Sequence, residues 1–311
     1  MLSKVAERIY WTGRYIERAE STARLLSIYD KLLFDMPRQV NLGWYNLITI
    51  NNLEESFAER YSVQDERNVV KFLLGDDTNP SSVISSLMAI RENVRTTRDV
   101  VPAEAWELIN ETTQYVQENL QQGVNRSNRH DFLDNLITCC LQIVGLMSVS
   151  MPRDEGWEML QLGQYLERAD MTTRNIDAGV AAIIQVEDDD FAVNSRQIIW
   201  GNVLRSLNAD QPFRRAMRSS IKGEAVVQYL MTDPHFPRSA GFCLSEMILA
   251  AEALPRSDKV IKEIRKLHRA VMACGEHGGH GQEFRDELNE LQISIRNLHF
   301  LIGRTWFLTD Q

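Results

Sequence analysis

Residues 13 to 24 read Gly-Arg-Tyr-Ile-Glu-Arg-Ala-Glu-Ser-Thr-Ala-Arg, and residues 163 to 174 read Gly-Gln-Tyr-Leu-Glu-Arg-Ala-Asp-Met-Thr-Thr-Arg. Seven of the twelve positions are identical at a constant offset of 150. Two more, Ile16 with Leu166 and Glu20 with Asp170, keep their chemical character. A proline-free run from residue 2 to residue 35 surrounds the first copy, and a run from Arg153 to about Gln185 surrounds the second. Apolar residues recur around both at helical spacing, which predicts two long helices.

Working outward, the echo continues. Trp200 and Asn202 repeat Trp44 and Asn46, and Phe213 repeats Phe57, at an offset of 156. Val226 to Leu230 repeats Val69 to Leu73, and Asp233, Pro237 and Ser239 repeat Asp76, Pro80 and Ser82, at an offset of 157. Landmarks in unchanged order with slowly growing offsets indicate tandem duplication with loop insertions. The expected fold is all-α, about twelve helices built as two six-helix units, residues 1–150 and 151–311, packed with pseudo-twofold symmetry into one globular body. No stretch alternates apolar and polar residues as a half-buried strand requires.

Helices are expected over Trp44 to Glu59, Glu66 to Leu74, a serine-capped start at Ser81 or Ser82 through Arg98, Pro102 to Gln122, and Asp131 to Val149. Gly275 to Gly281 should separate the last two helices of the chain. In the first helix Trp11, Tyr15, Ile16, Ala19, Thr22, Ala23 and Leu26 share one apolar arc, and Gly13, Glu17, Glu20 and Arg24 form a narrow polar strip opposite.

Composition bounds function. The 311 residues are 44% hydrophobic, enough for a large core, and the net charge of -9 gives no basic footprint for nucleic acid. No run of about eighteen uninterrupted apolar residues predicts a membrane span, and the N-terminal residues lack a signal-peptide pattern. Cys139, Cys140, Cys243 and Cys274 form neither a CxxC pair nor a disulfide framework, which fits a cytoplasmic protein.

The retained polar residues are the candidate site: Gly13, Tyr15, Glu17, Arg18 and Arg24, with their counterparts Gly163, Tyr165, Glu167, Arg168 and Arg174. Solvated helix positions exchange Lys, Glu and Gln freely, so identity at these positions implies restriction. Glycine inside a helix costs about 1 kcal/mol relative to alanine, so close approach of a backbone or ligand must offset it. A seam between the halves and the wall of an anion-accepting groove both satisfy that geometry. Because successive residues step 100° around a helix, Glu17 with Arg24 is the set expected to face one partner, and Arg18 to point elsewhere. Arg238 and Ser239, in the turn Asp-Pro-His-Phe-Pro-Arg-Ser that opens a helix, are a secondary anion-binding candidate, although the first copy carries Ser81 in the arginine's place. Cys274, His277 and His280 lack a fourth ligand, and no metal or cofactor is expected. The acidic run Glu187 to Asp190 reads as a solvated linker.

Three motifs in order, Tyr-Ile-Glu17-Arg18-Ala with Tyr-Leu-Glu167-Arg168-Ala, then Arg91-Glu-Asn-Val-Arg95-Thr-Thr-Arg98-Asp followed by Trp106-Glu-Leu-Ile-Asn110, and Phe236-Pro-Arg-Ser239, resemble the bacterial alpha-E domain family. Members are typically encoded beside a circularly permuted ATP-grasp ligase and often a transglutaminase-like protease. The resemblance implies an accessory or substrate-binding subunit of a peptide or amide ligase system, with the ATP-grasp protein and a peptide substrate as partners. An acyl- or amide-transfer enzyme using Glu17, Glu167, Arg24 and Arg174, and a purely structural helical scaffold, are the alternatives.

Overall fold

The structure, a computed structural model, describes residues 1–35, 43–186, 192–218, 220–279 and 281–307. Those residues form fourteen α-helices and no strand. The first seven are α1 (Ser3–Asp35), α2 (Asn46–Ile50), α3 (Glu54–Ala58), α4 (Glu66–Gly75), α5 (Val83–Arg95), α6 (Ala103–Val124) and α7 (Arg129–Ser150). The second seven are α8 (Glu155–Ile184), α9 (Ala192–Ser206), α10 (Asp210–Met217), α11 (Gly223–Thr232), α12 (Ala240–Glu252), α13 (Asp258–His277) and α14 (Gln282–Trp306).

The expected single helix over residues 44–59 is two. Asn51 turns its amide back onto the Leu47 carbonyl, and Asn52 takes a left-handed φ of 53°. Asparagine tolerates that conformation because its short polar side chain bonds locally, and it ends α2 there. Other boundaries follow their caps. Ser82 accepts from the Ser85 amide, Ser239 from Phe242, and Asp154 from Gly156 and Trp157, each satisfying helix-start donors that have no partner in their own helix.

The two long helices α1 and α8 lie side by side at the centre. Tyr10 meets Gly163 and Glu17 meets Arg168, so residue numbers rise together and the helices run parallel. Helices α5 and α7 pack on α1, while α12 and α14 pack on α8. Encirclement changes the amphipathic expectation for α1: Glu17 and Glu20 are buried at 2% and 3% exposure beside the apolar Ile16, Ala19 and Ala23. The polar strip faces protein, not water.

Helix α7 is long and apolar enough by composition to cross a membrane. In the fold it seats Phe132, Leu136, Cys140, Ile143 and Met147 in the core. Arg129 at its start is also buried, with its guanidinium 3.2 Å from Asp30, 2.8 Å from Glu66 and over the Trp44 ring. A cation so enclosed requires these partners. The segment around Arg91 and Trp106 clasps α5 to α6: Arg91 donates to Asn110, and Arg98 lies 4.2 Å over the indole of Trp106.

Candidate functional site

Two glycines set the spacing of the central helices. A Cβ on Gly13 would overlap the Leu160 carbonyl oxygen and stand 3.1 Å from the Gln164 amide nitrogen. One on Gly163 would overlap the Tyr10 carbonyl oxygen and stand 3.2 Å from the Arg14 nitrogen. In both cases the obstacle is the other helix's backbone, which no rotamer change can move.

One turn further along, the glutamates exchange partners across that contact. Arg168 grips Glu17 through Nε and Nη2, at 2.9 and 2.8 Å, and Arg18 grips Glu167 through the same two nitrogens, at 2.6 and 3.1 Å. These forked contacts are the strong form of a carboxylate–guanidinium pair. Each glutamate then takes one more guanidinium from a different source. Glu17 receives Arg238, which also reaches Glu20 at 2.9 Å, whereas Glu167 receives Arg14. Tyr15 and Tyr165 lie under the guanidinium groups of Arg18 and Arg168 respectively.

Several expectations change here. Arg18 and Arg168 are the cross-helix partners, although their Cα–Cβ directions diverge from the neighbouring glutamates, because the close helix contact brings the opposite carboxylate within reach of a long flexible stem. Arg24 folds back on Glu20, and Arg174 on Asp170 at 2.8 Å, as the i,i+4 acid-to-base pairs that their spacing in the sequence also allows, and not toward the other helix. Arg238 is committed to Glu17 and Glu20, and its turn is a capped turn with Phe236 stacked on Tyr229. That commitment leaves the expected anion-binding role of Arg238 without its guanidinium. Ser239 is spent on its helix cap and the Asp233 carbonyl. Cys274 is buried and His277 turns to the Ala273 carbonyl, while His280 and residues 187–190 lie outside the described residues. Arg14 was the functional partner that sequence comparison passed over, since Gln164 stands at its place in the second copy.

The electrostatics follow from enclosure. Burial by itself would push the Glu167 carboxyl up, but Arg14 and Arg18 outweigh it and hold the group at about 2. Glu17 is likewise held below the usual range: Arg168 and Arg238 overcome the same burial. His299, hydrogen-bonded to the Tyr10 hydroxyl at 2.9 Å, is pushed down to about 4 by burial and then by Arg14. Both kinds of shift have one sign for stability. A depressed carboxyl stabilises the fold above its unfolded value of 4.5, and that contribution is lost as pH falls toward 2; a depressed histidine loses its contribution as pH falls from 6.5 toward 4. Urea unfolding followed from pH 7 to pH 3 should therefore show stability declining below about 6.5 and more steeply below 4.5. Glu167 alone supplies about 2 kcal/mol of that dependence down to pH 3. A flat profile over that range would contradict the assignment.

Beside Glu167 the packing opens. Arg238 and Ser81 occupy matching places, each directly before the serine that caps the helix packed on a central helix, Ser239 for α12 and Ser82 for α5. Where the arginine bridges Glu17 and Glu20, the serine leaves a cavity of about 280 Å³ beside Glu167 and Asp170. Arg14, Arg18, Arg174 and Arg296 line it, with amides from Asn51, Asn289 and Gln292. Arg296 is exposed and has no carboxylate within ion-pair distance among the described residues.

The chain thus holds a parallel pair of buried Glu-Arg helices inside an all-helical shell. The chain belongs to the alpha-E family, described as a predicted alpha-helical domain with a conserved ER motif, which matches residues 1–307. Similar proteins include one from Mycobacterium bovis and two from Mycobacterium tuberculosis, all uncharacterised, each 21% identical over 97% of this chain. The match covers 36% of each of those proteins, so the chain spans about a third of the length of the curated relatives it matches. No solved structure matches.

Proposed function

We propose that this chain is an accessory or substrate-binding subunit of an ATP-grasp-type peptide or amide ligase system, acting in the cytoplasm and performing no nucleotide chemistry itself. The link to a ligase system comes from the family resemblance, and the observation that favours a non-catalytic role within it is the state of Glu17 and Glu167. Each is buried at 2% exposure or less and held by two guanidinium groups. A carboxylate so stabilised is a feeble base, and ionised it has no proton to donate, so acyl or amide transfer through these residues is disfavoured. The Glu-Arg motif then serves to lock two helices together, and binding falls to the surfaces and openings they position.

Tandem duplication with pseudo-twofold symmetry belongs to the same reading. Its support is the reciprocity of the contacts: each helix lays its glycine on the other's backbone and grips the other's glutamate with its own arginine. Fully buried Phe57 and Phe213, and the matching helices α4 and α11, extend the correspondence. The longer mycobacterial relatives fit a domain that works beside another module. All four cysteines are unpaired, which fits a reducing compartment.

The test is co-purification of the tagged chain with an ATP-grasp ligase from the same source organism, followed by ligase turnover with and without this chain. Complex formation and a rate at least about tenfold higher are expected, corresponding to a barrier lower by about 1.4 kcal/mol. Absence of both a complex and a rate effect would overturn the reading.

A further inference from the structure

We infer that the cavity beside Glu167 is a binding site for a doubly charged oxyanion group. The inference rests on the binding role proposed above and adds the class of ligand. Four guanidinium groups, from Arg14, Arg18, Arg174 and Arg296, face two carboxylates, Glu167 and Asp170, leaving two positive charges in excess. In a chain whose net charge is -9, that excess is local. One of the two charges resides at Arg296, and the other is shared by Arg14 and Arg18, which have Glu167 alone between them, while Asp170 is engaged by Arg174.

The origin of the space is as informative as its charge. On the opposite side of the helix pair, Arg238 supplies both the charge and the volume that seal the seam against Glu17 and Glu20. On this side the two are separated. Arg14 supplies the charge to Glu167 from within α1, and Ser81 leaves the volume vacant. The side chain of His299 at the wall is held neutral by burial and then Arg14, so it contributes hydrogen-bonding capacity but no positive charge. The carboxamides of Asn51, Asn289 and Gln292 supply further neutral donors. Exposed Asn289 and Arg296, both on α14, stand where a ligand would enter.

A volume of about 280 Å³ admits a headgroup or the end of a peptide side chain, and is small for a whole nucleotide. Guanidinium forks suit phosphate and carboxylate oxygens equally, so two sources share this chemistry: a phosphate monoester, or two carboxylates held close together as at an acidic peptide terminus. Binding at such a site should weaken as ionic strength rises, because the exposed Arg296 is screened.

Isothermal titration of the isolated chain with inorganic phosphate and with glutarate, at constant ionic strength and pH 7.5, with sodium chloride as the blank, tests it. Saturable one-to-one binding of at least one of the two is expected; phosphate alone identifies a tetrahedral headgroup, and glutarate alone identifies a dicarboxylate. Ser81→Arg should restore the plug that Arg238 forms opposite and reduce affinity at least about tenfold while leaving the melting temperature level or raised. Arg296→Gln, exposed and without an ion pair among the described residues, should fold normally and weaken binding about tenfold. Lack of saturable binding of either anion by the wild-type chain, or unchanged affinity in both variants, would overturn the inference. Because no partner protein is in the assay, its failure is separable from failure of ligase association.

Discussion

Gly163→Ala is expected to lower stability by at least about 2 kcal/mol, and Gly13→Ala by a similar amount, in urea or thermal unfolding. The sign is set by two opposed effects. Alanine gains about 1 kcal/mol over glycine in a helix interior. Against it, the new methyl would overlap the Tyr10 carbonyl oxygen in one case and the Leu160 carbonyl oxygen in the other. Overpacking costs about 1–3 kcal/mol when side chains can yield, and more when they cannot. Here the obstacle is helical backbone, so relief requires α1 and α8 to separate, which lengthens the Arg18–Glu167 and Arg168–Glu17 contacts one turn away. Clash and ion-pair loss are therefore coupled. Gly145→Ala is the internal control: it lies in α7 with nothing within 4 Å of the added carbon, so only the helical gain of up to about 1 kcal/mol remains. Equal stability changes at positions 13, 145 and 163 would show that the helix contact is not as close as described.

The glycines were legible in the sequence because their cost demanded compensation. A glycine in the middle of a long, otherwise well-formed helix pattern is a conflict between local preference and fold, and such conflicts mark close approach. The retention of Glu17, Glu167, Arg18 and Arg168 in both copies was legible as restriction for the same kind of reason. What the wheel could not supply was reach. A helical wheel projects Cβ directions, and Arg18 diverges from Glu17 on it, yet the guanidinium sits at the end of a long flexible stem and the opposite helix is near. Which carboxylate each arginine takes is decided by the tertiary contact.

Other features were hidden for different physical reasons. Arg129 reads as one residue of a polar stretch after Asn125–Asn128, and its partners Asp30 and Glu66 come from distant parts of the chain. No local pattern announces a buried cation whose neutralising groups are so far away in sequence. The break between α2 and α3 depends on Asn52 adopting a left-handed conformation, which asparagine accepts but does not require. The arginine-lined cavity depends on a difference between the copies, Ser81 against Arg238, that sequence comparison registers only as a lack of repetition. Sameness marked the seam; the site beside it comes from difference.

The largest single-residue effect should follow from removing one glutamate. Glu167→Ala leaves the Arg14 and Arg18 guanidinium groups without their shared carboxylate, at side-chain exposures of 11% and 16%. Breaking a buried pair by deleting one partner costs about 3–5 kcal/mol, because the remaining charge stays desolvated and unpaired. Two arginines depend on Glu167, which places the expected loss at the upper end of that range. Glu17→Ala should fall slightly lower, since Arg238 keeps its contact with Glu20 and loses only half its pairing. The double variant Glu167→Leu with Arg18→Met distinguishes a charge penalty from a packing penalty: removing one arginine together with the carboxylate should recover at least about 1 kcal/mol relative to Glu167→Ala, as apolar replacement of buried ion pairs commonly does. The decisive comparison is between stability and the ligase stimulation proposed above. If the motif locks the helix pair, variants at Glu167 and Glu17 lose stimulation only in proportion to the unfolded fraction, and lowering the assay temperature restores it. A Glu167→Gln chain that melts like the wild type yet fails to stimulate the ligase at every temperature would reassign the glutamate from helix lock to direct participant.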